Sequence, residues 1–225
     1  MTLSANQPYF LPYFPYWQLI HAADRFLIAD DYAYMMRSWI PRNRILVNGR
    51  PVYFRVEVDG ASCHRLIGEI PLLPPDSERK LQTLEMAYRR APFLREGMDL
   101  AARIFACREP LLVDFLTASM REVCGYLGIE TPFGTTSSLE GNALLRREER
   151  IYDFCHRLGA TRYINAIGGQ ALYRFDEFRR QGIRLQFLRS TAVLRHPQLS
   201  VIDAVMHHSR DELHTLLDHY TLIDG

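Results

Sequence analysis

The chain has little of what marks several common protein classes. Its four cysteines, Cys63, Cys107, Cys124 and Cys155, are widely spread and form no CxxC, which argues against a disulfide framework and against structural zinc. No apolar run approaches the ~20 residues that cross a bilayer, so no membrane span is expected. The N-terminus has neither a basic flank nor a signal-peptide pattern, which makes the cytoplasm the expected compartment. A net charge of +1, with signs mixed as in Arg146-Arg147-Glu148-Glu149, lacks the clustered basic footprint of a nucleic-acid binder. There is no GxGxxG, no HxxxH and no HExxH, so no metal is assigned and no cofactor is named. Internal repeats and low-complexity linkers are missing too.

What is present is a 225-residue chain, 48% hydrophobic, long enough to bury a full core. The opening is the richest part. A short apolar run, Thr2 to Ala5, breaks at Asn6-Gln7-Pro8. A loop with Pro8, Pro12 and Pro15 follows, then a helical pattern through Trp17, Leu19, Ile20 and Ala23. A second apolar run, Phe26 to Ala29, ends at Asp30-Asp31. This is a βαβ opening with polar residues at the carboxyl end of each strand, where open α/β sheets collect their ligands.

Asn48-Gly49 predicts a hairpin turn between strands Arg44–Val47 and Val52–Val58. Asp76 or Ser77 caps a helix to about Arg90, and helices over 93–107 and 111–127 complete a helical segment at about 76–128 that closes at Gly128. The βα alternation then returns: helix 144–158 stopping at Gly159, strand 162–165, the Gly168-Gly169 turn, a helix at about 176–181, strand 183–188, and helices 201–208 and 210–220. The expected fold is a single α/β domain over 1–225. It has a mainly parallel, Rossmann-like sheet, flanking helices, the central helical segment and a small β-hairpin.

Within that frame Asn6, Gln7 and Tyr9 stand where a first βα loop presents hydrogen-bonding groups to a sugar, ribose or amide. Consecutive strand residues face opposite ways, so one of Asp30 and Asp31 is expected at the site, as a base, a hydroxyl clamp or an Mg²⁺ ligand. Arg37, Arg42 and Arg44 cluster around Trp39, and their guanidinium forks suit a phosphate or carboxylate. Asn165 precedes Gly168-Gly169, whose backbone amides are candidates for an anion nest. Cys155 falls on the apolar face of its helix with Ile151, Phe154 and Leu158, and His156 points about 100° away, a poor nucleophile–base geometry. Ser200 and Asp203 have capping-box spacing.

Several of these segments together resemble the WbqC-like protein family. The resemblance rests on Asn6-Gln7-Pro8-Tyr9-Phe10-Leu11-Pro12-Tyr13, Tyr16-Trp17, Asp30-Asp31, and Arg37-Ser38-Trp39 with Arg42-Asn43-Arg44-Ile45. It continues through Tyr88-Arg89-Arg90-Ala91-Pro92-Phe93, Cys155 to Ala160, Tyr163-Ile164-Asn165, Gly168 to Tyr173 and Leu199 to Asp203, in order over nearly the whole chain. Many family members carry His where this chain has Asn6, so no histidine base is carried over. The resemblance implies a transferase acting on a polar, glycan-linked or nucleotide-linked small molecule in surface-polysaccharide or related biosynthesis. Asp31 or Asp30 would be catalytic. Asn6, Gln7, Tyr9, Arg37, Arg42, Asn43, Arg44, Asn165, Gly168 and Gly169 would bind substrate. The alternatives are a non-catalytic protein that binds a glycan intermediate and a Cys155-dependent acyltransferase.

Overall fold

The computed structural model describes residues 1–224. In chain order the elements are β1 (Thr2–Asn6), α1 (Phe14–His21), β2 (Arg25–Ile28), β3 (Arg42–Val47), β4 (Arg50–Arg55), α2 (Ser77–Tyr88), α3 (Leu94–Ala106) and α4 (Leu112–Leu127). Then follow β5 (Phe133–Thr135), α5 (Glu148–Leu158), β6 (Arg162–Ala166), α6 (Phe175–Arg180), β7 (Arg184–Ser190), α7 (Val201–His207), α8 (Arg210–Leu216) and β8 (Tyr220–Asp224). It is a mixed α/β fold. One six-stranded sheet has the order β5-β2-β1-β6-β7-β8 and is parallel except at β7–β8, and β3–β4 form a separate antiparallel hairpin.

Both faces of the sheet are covered, which is why its inner strands read as apolar runs rather than as alternation. Leu3, Leu27, Tyr163, Leu185 and Phe187 pack beneath α5 and α6 with Phe154, Cys155 and Phe178. The neighbouring strand residues face the other way: Phe26 and Ile28 join Phe14, Trp17 and Ile20 of α1 in a large cluster that continues through α2, α3, α4 and the hairpin. Helix α1 carries Pro15 in its first turn, where the missing N–H costs nothing. Its Trp17 Nε1–H donates to the Pro12 carbonyl at 3.0 Å, and buried Gln18 donates to the carbonyls of Leu216 and His219. These bonds tie α1 to the loop before it and to the end of α8.

The expected hairpin, helical segment and four inner strands are present. Asn48 and Gly49 both have positive φ, as a two-residue hairpin turn requires. Three expectations are corrected. The predicted helix 210–220 ends at Leu216, and Tyr220–Asp224 is an edge strand held by Arg184 and Gln186 on the Asp224 carboxylate. Helix α5 starts at Glu148 rather than 144, because Asn142–Leu144 is a separate 3-10 turn. Strand β2 stops at Ile28, so Asp30 and Asp31 lie beyond it and the strict alternation of a strand does not govern them.

Candidate functional site

The chain runs outward from β1 to β2 on one side and returns to β6 on the other, so the loops after β1 and β6 part around a crevice. A cavity of about 460 Å³ lies there, within the ~300–1,000 Å³ usual for small-molecule sites. Asn6, Gln7, Tyr9, Asn165, Gly168 and Gly169 all line it, as do Tyr32 and Tyr173.

Each strand end is locally self-capped. Asn6 Oδ1 accepts from Gln7 N–H at 2.9 Å, and Asn165 Oδ1 accepts from Ala166 N–H at 2.7 Å. The Asn165 amide donates onward to Tyr173 Oη at 2.6 Å. Among the described residues, the Asn6 amide NH₂ and the Gln7 side chain meet no protein partner. Tyr16 Oη donates to the Gln7 carbonyl at 2.7 Å and fixes the loop from behind. Burial pushes the phenols of Tyr9, Tyr13, Tyr32 and Tyr173 above their ordinary value, so at neutral pH they are protonated donors. The lining contains no carboxylate, histidine, lysine or cysteine. It offers amides and phenols against an apolar floor of Ile151 and Phe154.

Other expected groups lie elsewhere. Neither Asp30 nor Asp31 lines the cavity. Both oxygens of Asp31 lie 2.7 Å from Arg150 Nη2, and both side chains are more than nine-tenths buried. The guanidinium of Arg150 stacks 4.0 Å from the Tyr32 ring and donates to Asn142 Oδ1 at 2.7 Å. Asp30 caps the turn after β5, accepting from Ser137 N–H at 3.0 Å and from its hydroxyl at 2.5 Å. The two aspartates therefore hold the segment between β5 and α5. Arg150 was not singled out in the sequence, although an arginine four residues before Phe154 on an apolar helix face was a visible signal.

Gly168 and Gly169 belong to a 3-10 helix over Ile167–Leu172, and neither has positive φ, so the expected anion nest is not formed. Of the three expected arginines, Arg44 alone borders a second hollow of about 490 Å³, lined by Tyr9, Pro12, Tyr13, Trp39, Asn43, Arg44 and Gln198. It shares Tyr9 and Tyr13 with the crevice. The Arg44 guanidinium lies 5.5 Å from the Trp39 ring, and its buried Nε has no partner. Arg42 instead stacks on Tyr53 at 4.4 Å and donates to the carbonyls of Arg37 and Ser38, where Arg37 takes a positive φ. Asn43 donates to the Leu11 carbonyl at 2.8 Å and is a structural strut. Cys155 is fully buried, and desolvation pushes its thiol up to about 12, which leaves no thiolate for nucleophilic attack at neutral pH.

The match to the family model of the WbqC-like protein family spans residues 7–215. The chain belongs to the WbqC-like protein family. It is also 28% identical over 162 residues to the uncharacterized protein Rv1507c of Mycobacterium tuberculosis, covering 71% of this chain and 69% of that one. No solved structure matches. The matched range takes in the second hollow, the Asp31–Arg150 pair and the crevice lining from Gln7 onward, while Ala5 and Asn6 precede it.

Proposed function

We propose that this WbqC-like protein is a transferase that holds a polyhydroxylated, glycan-linked or nucleotide-linked small molecule in the crevice between β1 and β6, with the parallel strands used in Rossmann-like fashion. One observation carries the reading. Asn6, Gln7, Tyr9 and Asn165 reach one cavity at the carboxyl ends of the strands where the sheet's strand order reverses, the position at which α/β folds collect ligands. Neutral amides and phenols on an apolar floor suit sugar hydroxyls, which both donate and accept. The adjoining hollow, with Arg44 beside Trp39, suits the anionic or aromatic part of the same molecule or of a second substrate meeting it at Tyr9 and Tyr13. Asp31 and Arg150 are assigned to holding Tyr32 in the crevice wall rather than to proton transfer.

A second reading, a non-catalytic protein that binds a glycan intermediate, is favoured by the absence of any lining group that titrates near neutral pH. One experiment separates the two. Thermal unfolding is followed with a panel of sugar nucleotides and sugar phosphates, on the natural chain and on Asn6→Ala and Asn165→Ala. A ligand at 100 times its Kd should stabilise the natural chain by ~2.7 kcal/mol, and the variants should lose most of that. Binders are then assayed for turnover. Binding without turnover selects the second reading, and equal stabilisation of natural chain and variants removes the crevice from both.

A further inference from the structure

A cluster unrelated to the crevice lies where α7 meets the loop before it. Asp203 is almost completely buried in the first turn of α7, yet its carboxylate does not cap the helix. Ser200 does that, accepting from Ile202 N–H. The Asp203 carboxylate instead faces two imidazoles: His196 Nδ1 stands 2.8 Å from Oδ1, and His207 Nδ1 stands 3.6 Å from the same oxygen. One ligand-type atom from each of the three residues lies within 4.8 Å of the others.

We propose that His196, Asp203 and His207 form a binding site for a divalent first-row transition metal of the zinc type. Two imidazoles and one carboxylate are the donor set of open zinc and related centres, with three protein ligands and the remaining position left to water. Two ligands at ~2.0–2.1 Å from a tetrahedral ion stand ~3.3 Å apart, near the 2.8 Å that separates His196 Nδ1 from Asp203 Oδ1. The supports that metal ligands need are already in place. Tyr88 Oη donates to Asp203 Oδ2 at 3.0 Å, which turns Oδ1 toward the histidines. His207 Nδ1–H donates to the Asp203 carbonyl at 2.8 Å, which fixes the ring and leaves Nε2 as its ligand atom. An ion has a way in as well, because His196 is 27% exposed and lines a surface trough with Arg44, Leu46, Arg195 and Gln198. A plain His–Asp ion pair would need only one of these imidazoles.

The site can be tested on the full chain after dialysis against a chelator, by adding Co²⁺ and then competing with Zn²⁺. The natural chain should take up about one Co²⁺ with visible d–d absorption, and Zn²⁺ should bleach it. His196→Ala and His207→Ala should each weaken Co²⁺ binding by about 100-fold or more. Tyr88→Phe, which removes the orienting bond together with a long 3.4 Å bond accepted from Leu46 N–H, should weaken it by ~10–100-fold. His64→Ala, at an exposed histidine elsewhere, should leave binding unchanged. Should His207→Ala fail to fold, the partly exposed His196 carries the test. Equal Co²⁺ uptake by the natural chain and His196→Ala, or no uptake by either, overturns the proposal.

Discussion

Asp31 is held by Arg150 with both oxygens, and this pairing decides what the residue can do. An unpaired buried guanidinium is far more costly than the loss of one exposed contact. Asp31→Asn should therefore lower folding stability by ~3–5 kcal/mol, read as a shift in the urea midpoint at unchanged m-value. A variant as stable as the natural chain would show that water already compensates Arg150. The cysteines give a second check at the same scale. Cys63 is exposed, whereas Cys124 and Cys155 are buried with their thiols pushed up to about 12. A thiol reagent should modify Cys63 rapidly in the native protein and reach Cys124 and Cys155 only on unfolding. The tyrosines set the alkaline limit. Burial raises the phenols of Tyr16 and Tyr163 well above their ordinary value, so the folded state keeps protons that the unfolded chain releases from about pH 10 upward. That contribution to stability is complete below pH ~10 and is lost as pH rises beyond it. Phenolate absorbance and loss of secondary structure should accordingly appear together in an alkaline titration.

At the scale of elements, helix ends are where backbone geometry, rather than packing, sets the cost of a change. Gly128 and Gly159 both end helices in the left-handed region, with φ of 76° and 67°. An added Cβ at Gly159 meets nothing, whereas at Gly128 it comes 3.0 Å from His214 Nδ1. Gly159→Ala should cost ~1–2 kcal/mol from backbone strain alone, and Gly128→Ala should cost more, a difference that chemical denaturation of the two variants would show. Legibility in the sequence also divides by element. β1, β2, β6 and β7 were readable because a sheet covered on both faces needs continuous apolar runs, and the hairpin because Asn48-Gly49 has few other uses. β5 has three residues with Gly134 in the middle and carries almost no signal. β8 was hidden because Leu216 and Leu217 extend a helical period up to the point where Thr221-Leu222-Ile223 begins to pair. The polar residues of the crevice could be picked out because each stands at or just beyond the carboxyl end of its strand. The Asp31–Arg150 pair, 119 residues apart, depends on tertiary packing that no local spacing encodes; Asp203 and His207 stand four apart on α7, and it is the fold of the loop bringing His196 to them that local spacing leaves open.

Across the whole molecule, order should decline from the sheet centre to the hairpin. β1 and β6 are flanked on both sides by hydrogen-bonded neighbours, while β3 and β4 have only each other and most of β4 is exposed. Native-state hydrogen exchange should therefore place the amides of β1 and β6 among the slowest, opening only with global unfolding, and those of the hairpin among the faster. Equal protection in both regions would contradict this picture.

The order of the central strands also has a consequence in time. β1 pairs with β2 almost at once along the chain, but its other neighbour, β6, begins roughly 160 residues later. At ~5–20 residues per second, a ribosome needs on the order of 10–30 s between the two. Through that interval one edge of β1 is open, and the crevice has only half of its wall. The crevice is among the last features the nascent chain completes, so a ligand of the proposed kind would select finished molecules and would not help to nucleate them.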